Sequence, residues 1–311
     1  MRLGQNPAKS VDSVAQPRAV TVAIVTYIPF LSGYYAQSLD VLKKSLSSLR
    51  VSTPEPFDLL IFDNGSGSET RAFLQAEYDA GNIQYLIFSG KNIGKGGAWN
   101  FVFNAAPGEV IAYADSDILY HPGWLEQSLA ILQTFPSVGM VTARPLRSKE
   151  HYFSATLDWA RQTSDAELEQ GQFTSWEIFN QHSLSCGIEE AQSIEWFSES
   201  CDWKLSYCGV QAYAGAAHFQ FVAHKRVLQE FLPFEMDRPM GQVRTLDEQL
   251  NAAGYLRLMT ADPLVAHMGN TLPGEYISQP YRPRRRLVNQ PWVKKPLMWL
   301  YHQIFSLYFD R

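Results

Sequence analysis

The sequence predicts an α/β protein with a mostly parallel central sheet flanked by helices, and three observations carry that reading. Short apolar runs rich in β-branched and aromatic residues alternate with longer stretches of helical period through the first half of the chain. Polar motifs, two of them glycine-containing, come after three of those runs. At 311 residues and 46% hydrophobic content, the chain can bury a sizeable core.

Val20 to Thr26 reads as the first strand. Ser38 to Arg50 places Leu39, Leu42, Leu46 and Leu49 on one helical face, with Ser38 as N-cap. Phe57 to Phe62 is a short buried strand ending in Asp63-Asn64-Gly65-Ser66, followed by a helix from about Ser68 to Asp79 and a third strand from Ile83 to Phe88. The glycine-rich stretch Asn92 to Asn100 runs into a helix, and Glu109 to Ala114 forms a strand that ends in Asp115-Ser116-Asp117. His121-Pro122 opens the next helix, proline suiting a first-turn position, and Val138 to Ala143 is the strand after it.

From Leu157 to Asp202 the periodicity fades and acids dominate, so this insert is either a solvated surface region or an acceptor-binding excursion. Regular structure returns at Gln211 to Ala223, then as helices near Lys225 to Phe231 and Leu246 to Ala253. Residues 1–18 are polar, lack the apolar stretch of a signal peptide and are expected to form a disordered leader; 19–275 form the main domain, and 276–311 a basic, aromatic tail.

A net charge of −5 argues against nonspecific nucleic-acid binding, because an acidic chain is repelled by the phosphate backbone. The cysteines Cys186, Cys201 and Cys208 lack CxxC spacing and cannot make a complete disulfide framework, which fits a reducing cytoplasm.

Ligands of open α/β sheets bind at the carboxyl ends of the strands, so the motifs placed there matter most. Asp63 to Ser66 has the composition of a tight turn. Asn92 to Asn100 offers glycines that let backbone approach a ligand and helix-start amides that suit a diphosphate, without the spacing of a dinucleotide fingerprint or a P-loop. Asp115 and Asp117, two residues apart at a strand end, can face one divalent cation, Mg²⁺ or Mn²⁺.

In their order these segments resemble glycosyltransferase family 2, over roughly Val20 to Asn270 apart from the acidic insert. The resemblance implies the GT-A nucleotide-sugar-binding fold and inverting transfer from a nucleoside-diphosphate sugar, a UDP-sugar by preference, to a saccharide or lipid-linked acceptor. It implies nucleotide-sugar contacts at Thr26, at Asp63 as partner of the base, at Asn92, Gly94, Gly96 and Asn100, and at Asp115. It implies a metal held by Asp115, Asp117 and His267. Ala214-Gly215-Ala216 resembles the segment on the acceptor side, and Asp247, at an acidic helix start, is implied as general base with Glu248 a weaker candidate. The chain departs from the family pattern at Leu232 to Asp237, which leaves open a role for Glu235 or Asp237 in place of Asp247.

Two readings of the tail stand. The basic Arg282, Arg284, Arg285, Arg286, Lys294 and Lys295 precede an apolar, aromatic stretch, Pro296 to Phe309, too short to cross a bilayer. It suits peripheral attachment to the inner face of the cell membrane, or packing as a last helix on the domain. Rival functions are a noncatalytic binding relic of the same fold and a sugar nucleotidyltransferase, the latter lacking a glycine-rich, basic phosphate loop after the first strand.

Overall fold

The computed structural model describes residues 4–237 and 242–272, with 295–296, 299–300 and 303 of the tail. Its first half alternates β1 (Val20–Thr26), α1 (Ser38–Ser52), β2 (Phe57–Asp63), α2 (Ser68–Asp79), β3 (Tyr85–Phe88), α3 (Gly94–Ala105) and β4 (Val110–Asp115). A short strand, β5 (Ile118–Tyr120), precedes α4 (Trp124–Thr134) and β6 (Val138–Thr142). The acidic insert is not an irregular excursion: it folds as the end of α5 (Ser154–Gln162), β7 (Ala166–Gly171), α6 (Trp176–Ser185) and α7 (Glu190–Glu199), leading into β8 (Asp202–Tyr207). The remainder comprises β9 (Val210–Ala214), β10 (Gln220–His224), α8 (Lys225–Gln229), α9 (Gln242–Ala252), β11 (Leu256–Met259) and β12 (Val265–His267).

One ten-stranded sheet has the order β3-β2-β1-β4-β10-β6-β11-β9-β8-β7. Its β3-β2-β1-β4 half is wholly parallel, and β10, β9 and β7 run against the other strands. Strands β1, β2 and β4 are covered on both faces, which explains why they read as unbroken apolar runs. In β1, Val22 and Ile24 join the core on one side with Leu42, Leu46 and Leu49 of α1, while Ala23 faces the other core with Trp99 and Phe103 of α3. Trp99 packs within 5.4 Å, centroid to centroid, of Phe103, Tyr113 and Phe234, anchoring α3 against the sheet.

Several boundaries move. Gln37, not Ser38, is the N-cap of α1, and it makes no side-chain capping bond. The expected regular stretch Gln211 to Ala223 is two strands joined by the loop 215–219. In the leader, the described residues before β1 are exposed and carry a single 3₁₀ turn, Pro7–Ser10. Arg282, Arg284, Arg285, Arg286 and Lys294 and most of the apolar stretch beyond lie outside the described residues. Among the described residues no helix is long and apolar enough to cross a membrane. The three cysteines are free.

Candidate functional site

Three polar residues stand side by side at the carboxyl ends of adjacent parallel strands, where Thr26 pairs with Asp63 and Val25 with Asp115 in register. Asp63 is fully buried. It accepts from Ser66 N–H at 3.2 Å and from Arg71 Nε at 2.9 Å. Burial raises the pKa of its carboxyl above the usual carboxylate range, outweighing the bonds from Ser66 and the charge of Arg71. Asn64 ties the two glycine-containing turns together. Its Oδ1 accepts from Ile93 N–H at 2.9 Å, and its Nδ2 donates to Asn92 Oδ1 at 3.0 Å and to the Gly94 carbonyl at 3.2 Å. Gly65 sits at φ 88°, and a Cβ there would lie 2.8 Å from Asn92 N, so only glycine lets the turns approach this closely. The buried Thr26 Oγ1 has no hydrogen-bond partner among the described residues.

The next strand end carries charge. Lys95, in the first turn of α3, places its ammonium 2.7 Å from Asp115 Oδ1 and 2.8 Å from Oδ2, over the rings of Trp99 and Tyr113 at 5.6 Å. Tyr113 donates its hydroxyl to Asp115 at 2.7 Å. Burial and the adjacent Asp115 push that hydroxyl well above its ordinary pKa, so it remains a donor.

Asp117 faces the other way. The antiparallel pair β5–β12 sets His267 opposite Ile118, with Met268 N–H donating to the Asp117 carbonyl at 2.8 Å. His267 Nε2 lies 3.2 Å from Asp117 Oδ2, and its Nδ1 lies 3.0 Å from Ser185 Oγ on α6. Although burial alone lowers the pKa of His267, the hydrogen bond and charge of Asp117 and the charge of Asp115 raise it on balance. Asp117 Oδ1 is buried with no hydrogen-bond partner among the described residues. A bare carboxylate oxygen beside an imidazole is a donor set that a divalent cation such as Mg²⁺ or Mn²⁺ satisfies. Among the described residues no three His, Cys, Asp or Glu side chains form a metal-holding group, and Asp115 is paired with Lys95.

Asp247 lies at the centre of α9, not at its start, and is 8% exposed. Arg257 on β11, itself 1% exposed, donates from Nη2 to Asp247 Oδ1 at 2.6 Å and to the Ala216 carbonyl at 2.8 Å. Burial lowers the guanidinium's pKa and Asp247 opposes the shift. His218 Nδ1 stands 3.5 Å from Asp247 Oδ2. Asp247 and Glu248 open on a cleft of about 710 Å³, whose far wall is Phe179, His182 and Trp196 of the insert. His182, on the cleft wall, has its ring centroid 6.1 Å from that of His267, the partner of Asp117.

The structure thus brings Thr26, Asp63, Asn92 and Gly94 into one cluster, places Asp115 beside it, and sets Asp117 with His267. Gly96 is buried in α3. Asn100 is occupied elsewhere: its carboxamide donates to the Phe234 carbonyl at 2.8 Å and accepts from Phe234 N–H at 2.7 Å, fastening the segment after α8. Glu235 and Asp237 are exposed. Sequence reasoning missed Lys95, Arg257, His182 and His218. Arg257 left a signal, since an arginine flanked by leucines in a buried strand requires a carboxylate or carbonyl partner.

The fold is of the GT-A type, a large, mostly parallel sheet flanked by helices. A family model described as glycosyl transferase family 2 matches residues 33–189, about half of the chain, and the chain belongs to glycosyltransferase family 2. It is 33% identical over 101 residues to an uncharacterized glycosyltransferase of Nostoc sp. PCC 7120, a match covering 32% of this chain and 31% of that one. Among solved structures, GalNAc-T7 with UDP, GalNAc and Mn²⁺ shares the GT-A fold at 11% identity and TM-score 0.51, over 81% of this chain and 44% of that chain. The Pyrobaculum calidifontis mannosyltransferase PcManGT, with GDP-Man and Mn²⁺, matches at 15% identity and TM-score 0.46, over 80% of this chain and 56% of that one. The chain therefore spans less than two thirds of these relatives' lengths.

Proposed function

We propose that the protein is an inverting glycosyltransferase that moves a sugar from a nucleoside-diphosphate donor to a hydroxyl of a saccharide or lipid-linked acceptor. The observation that carries this reading is the adjacency of two half-sites. The strand-end cluster supplies donor-binding groups, and the Asp247 cleft opens against His182, which contacts His267 beside Asp117.

In this reading Thr26 and Asp63 hold the nucleoside, with a uracil base preferred, and Asn64 keeps the Asn92–Gly94 turn in place for the diphosphate. Lys95 is a resident cation beside Asp115. Asp117 and His267 would hold Mn²⁺ or Mg²⁺, with Asp115 joining them once released from Lys95; such an ion neutralises charge on a diphosphate leaving group. Asp247 accepts the proton of the attacking hydroxyl. Arg257 fixes Oδ1 of that carboxylate and leaves Oδ2 toward the cleft and His218. A single displacement from the opposite face inverts configuration and needs no second catalytic carboxylate. A cytoplasmic location, with the tail on the inner face of the membrane, belongs to the same reading.

Incubation of sugar nucleotides with saccharide and lipid-linked acceptors, followed by anomeric assignment of the product, tests it. Transfer with inversion, lost in Asp247→Asn, is the expected result; transfer with retention, or full activity in the variant, contradicts it.

A further inference from the structure

The Asp247 cleft continues past the groups that the proposed chemistry uses. A second cavity of about 650 Å³ lies beside it, and Arg147, Ser148, Phe179 and Trp196 line both. Each volume falls in the range that takes a drug-sized ligand, so the two together exceed what one sugar ring needs.

The shared wall is rigid and neutralised. Arg147, whose side chain is 2% exposed, is held by Asp202 at 3.1 Å through two nitrogens and by the Phe197 and Ser200 carbonyls at 2.9 and 3.0 Å. Its guanidinium lies 4.2 Å over the Phe197 ring. These bonds tie the end of α7, next to Trp196, to the start of β8. Trp196 itself is 46% exposed, a large ring open to solvent on the wall common to both cavities.

Beyond it the second cavity presents Trp203, Glu150, Gln170 and Glu199, with Lys149 at its side. The Trp203 indole donates to Glu150 Oε1 at 2.9 Å, which orients the ring and leaves the carboxylate with capacity to accept more. The exposed Trp196 ring, followed by carboxylates and an amide around the half-buried Trp203, over which Arg161 lies at 5.6 Å, is complementary to a neutral sugar: the apolar face of a pyranose covers Trp196 while hydroxyls donate to the carboxylates. The mixed signs of Lys149, Glu150 and Glu199 select no single charge.

We propose that the two cavities form one groove for an oligosaccharide acceptor, with its terminal residue beside Asp247 and the preceding residues running across Trp196 into the second cavity. This rests on the glycosyltransferase reading and deepens it. The acidic insert, which supplies Phe179, Trp196 and Glu199, is then the element that sets acceptor length.

The test is titration of ladders of one to six residues of neutral glucan, galactan and N-acetylglucosamine oligosaccharides, in α and β linkage, into the full chain with Mn²⁺ and a nucleoside diphosphate. Wild type, Trp196→Ala and Trp196→Phe are compared. At least one ladder tightens by about tenfold between one and four residues, the equivalent of one well-stacked ring. Trp196→Ala removes most of that gain, Trp196→Phe restores part of it, and unchanged nucleotide affinity certifies the fold. Flat affinity along every ladder, no ladder bound by protein that binds nucleotide, or an undiminished gain in Trp196→Ala overturns the groove. Absence of nucleotide binding overturns the glycosyltransferase reading itself.

Discussion

Arg257 and Asp247, ten residues apart, meet through a 2.6 Å charge-assisted hydrogen bond in which both groups are buried. The bond fixes the orientation of the proposed base. Breaking such a pair from one side costs about 3–5 kcal/mol. Arg257→Ala is therefore expected to lower stability by about that amount in a denaturant titration. Arg257→Lys retains charge but loses the fork that also grips the Ala216 and Tyr152 carbonyls, and is expected to fold with reduced turnover. Asp247→Asn is expected to lower turnover by roughly 10²–10⁴ with donor affinity intact.

In the proposed reading Lys95, which is paired with Asp115, competes with a cation for that carboxylate. Lys95→Met removes the competing ammonium while keeping the aliphatic stem against Trp99. Without nucleotide, the variant is expected to bind Mn²⁺ more tightly than wild type in a paramagnetic titration. Weaker or unchanged binding would show that Asp115 is not part of the metal set.

Gly65→Ala probes the junction of the two turns. The added methyl meets the Lys91–Asn92 backbone at 2.8 Å in a left-handed conformation. Strain of this kind costs about 1–3 kcal/mol, and because the same turns form the proposed donor pocket, nucleotide affinity is expected to fall with stability.

The first half was legible in the sequence because strands covered on both faces read as unbroken apolar runs, so the motifs at their ends could be placed. Three features of the site were not. β5 and β12 are three residues each, too short for any periodicity, yet their pairing carries His267 to Asp117. The helices α6 and α7 bury little beyond Phe179, Ser183 and Ser193, so they show no apolar stripe, and the insert read as an unassigned acidic stretch. The Lys95–Asp115 pairing depends on a helix start and a strand end meeting in space, which residue types alone do not specify.

His182 gives a pH signature. Burial, reinforced by the positive neighbours His267, Arg144 and His218, lowers its pKa from 6.5 to about 3. The unfolded chain therefore binds this proton first, and the stability of the neutral form, complete above pH 6.5, drains as pH falls toward about 3. The denaturation midpoint is expected to drop on acidification below pH 6.5, and to drop less in His182→Gln. His267, with a raised pKa, acts with the opposite sign, and the difference between wild type and this variant reads His182 together with its coupling to His267.

The donor site is the central claim, and calorimetric titration of UDP-, GDP-, dTDP- and CDP-sugars with and without Mn²⁺, on wild type and Asp117→Ala, tests it most directly. One nucleotide sugar is expected to bind the wild type in a Mn²⁺-dependent manner and to lose that dependence in the variant, which removes the bare Oδ1 beside His267. Binding that ignores the metal and survives Asp117→Ala, or no binding by any of the four, would contradict the assignment.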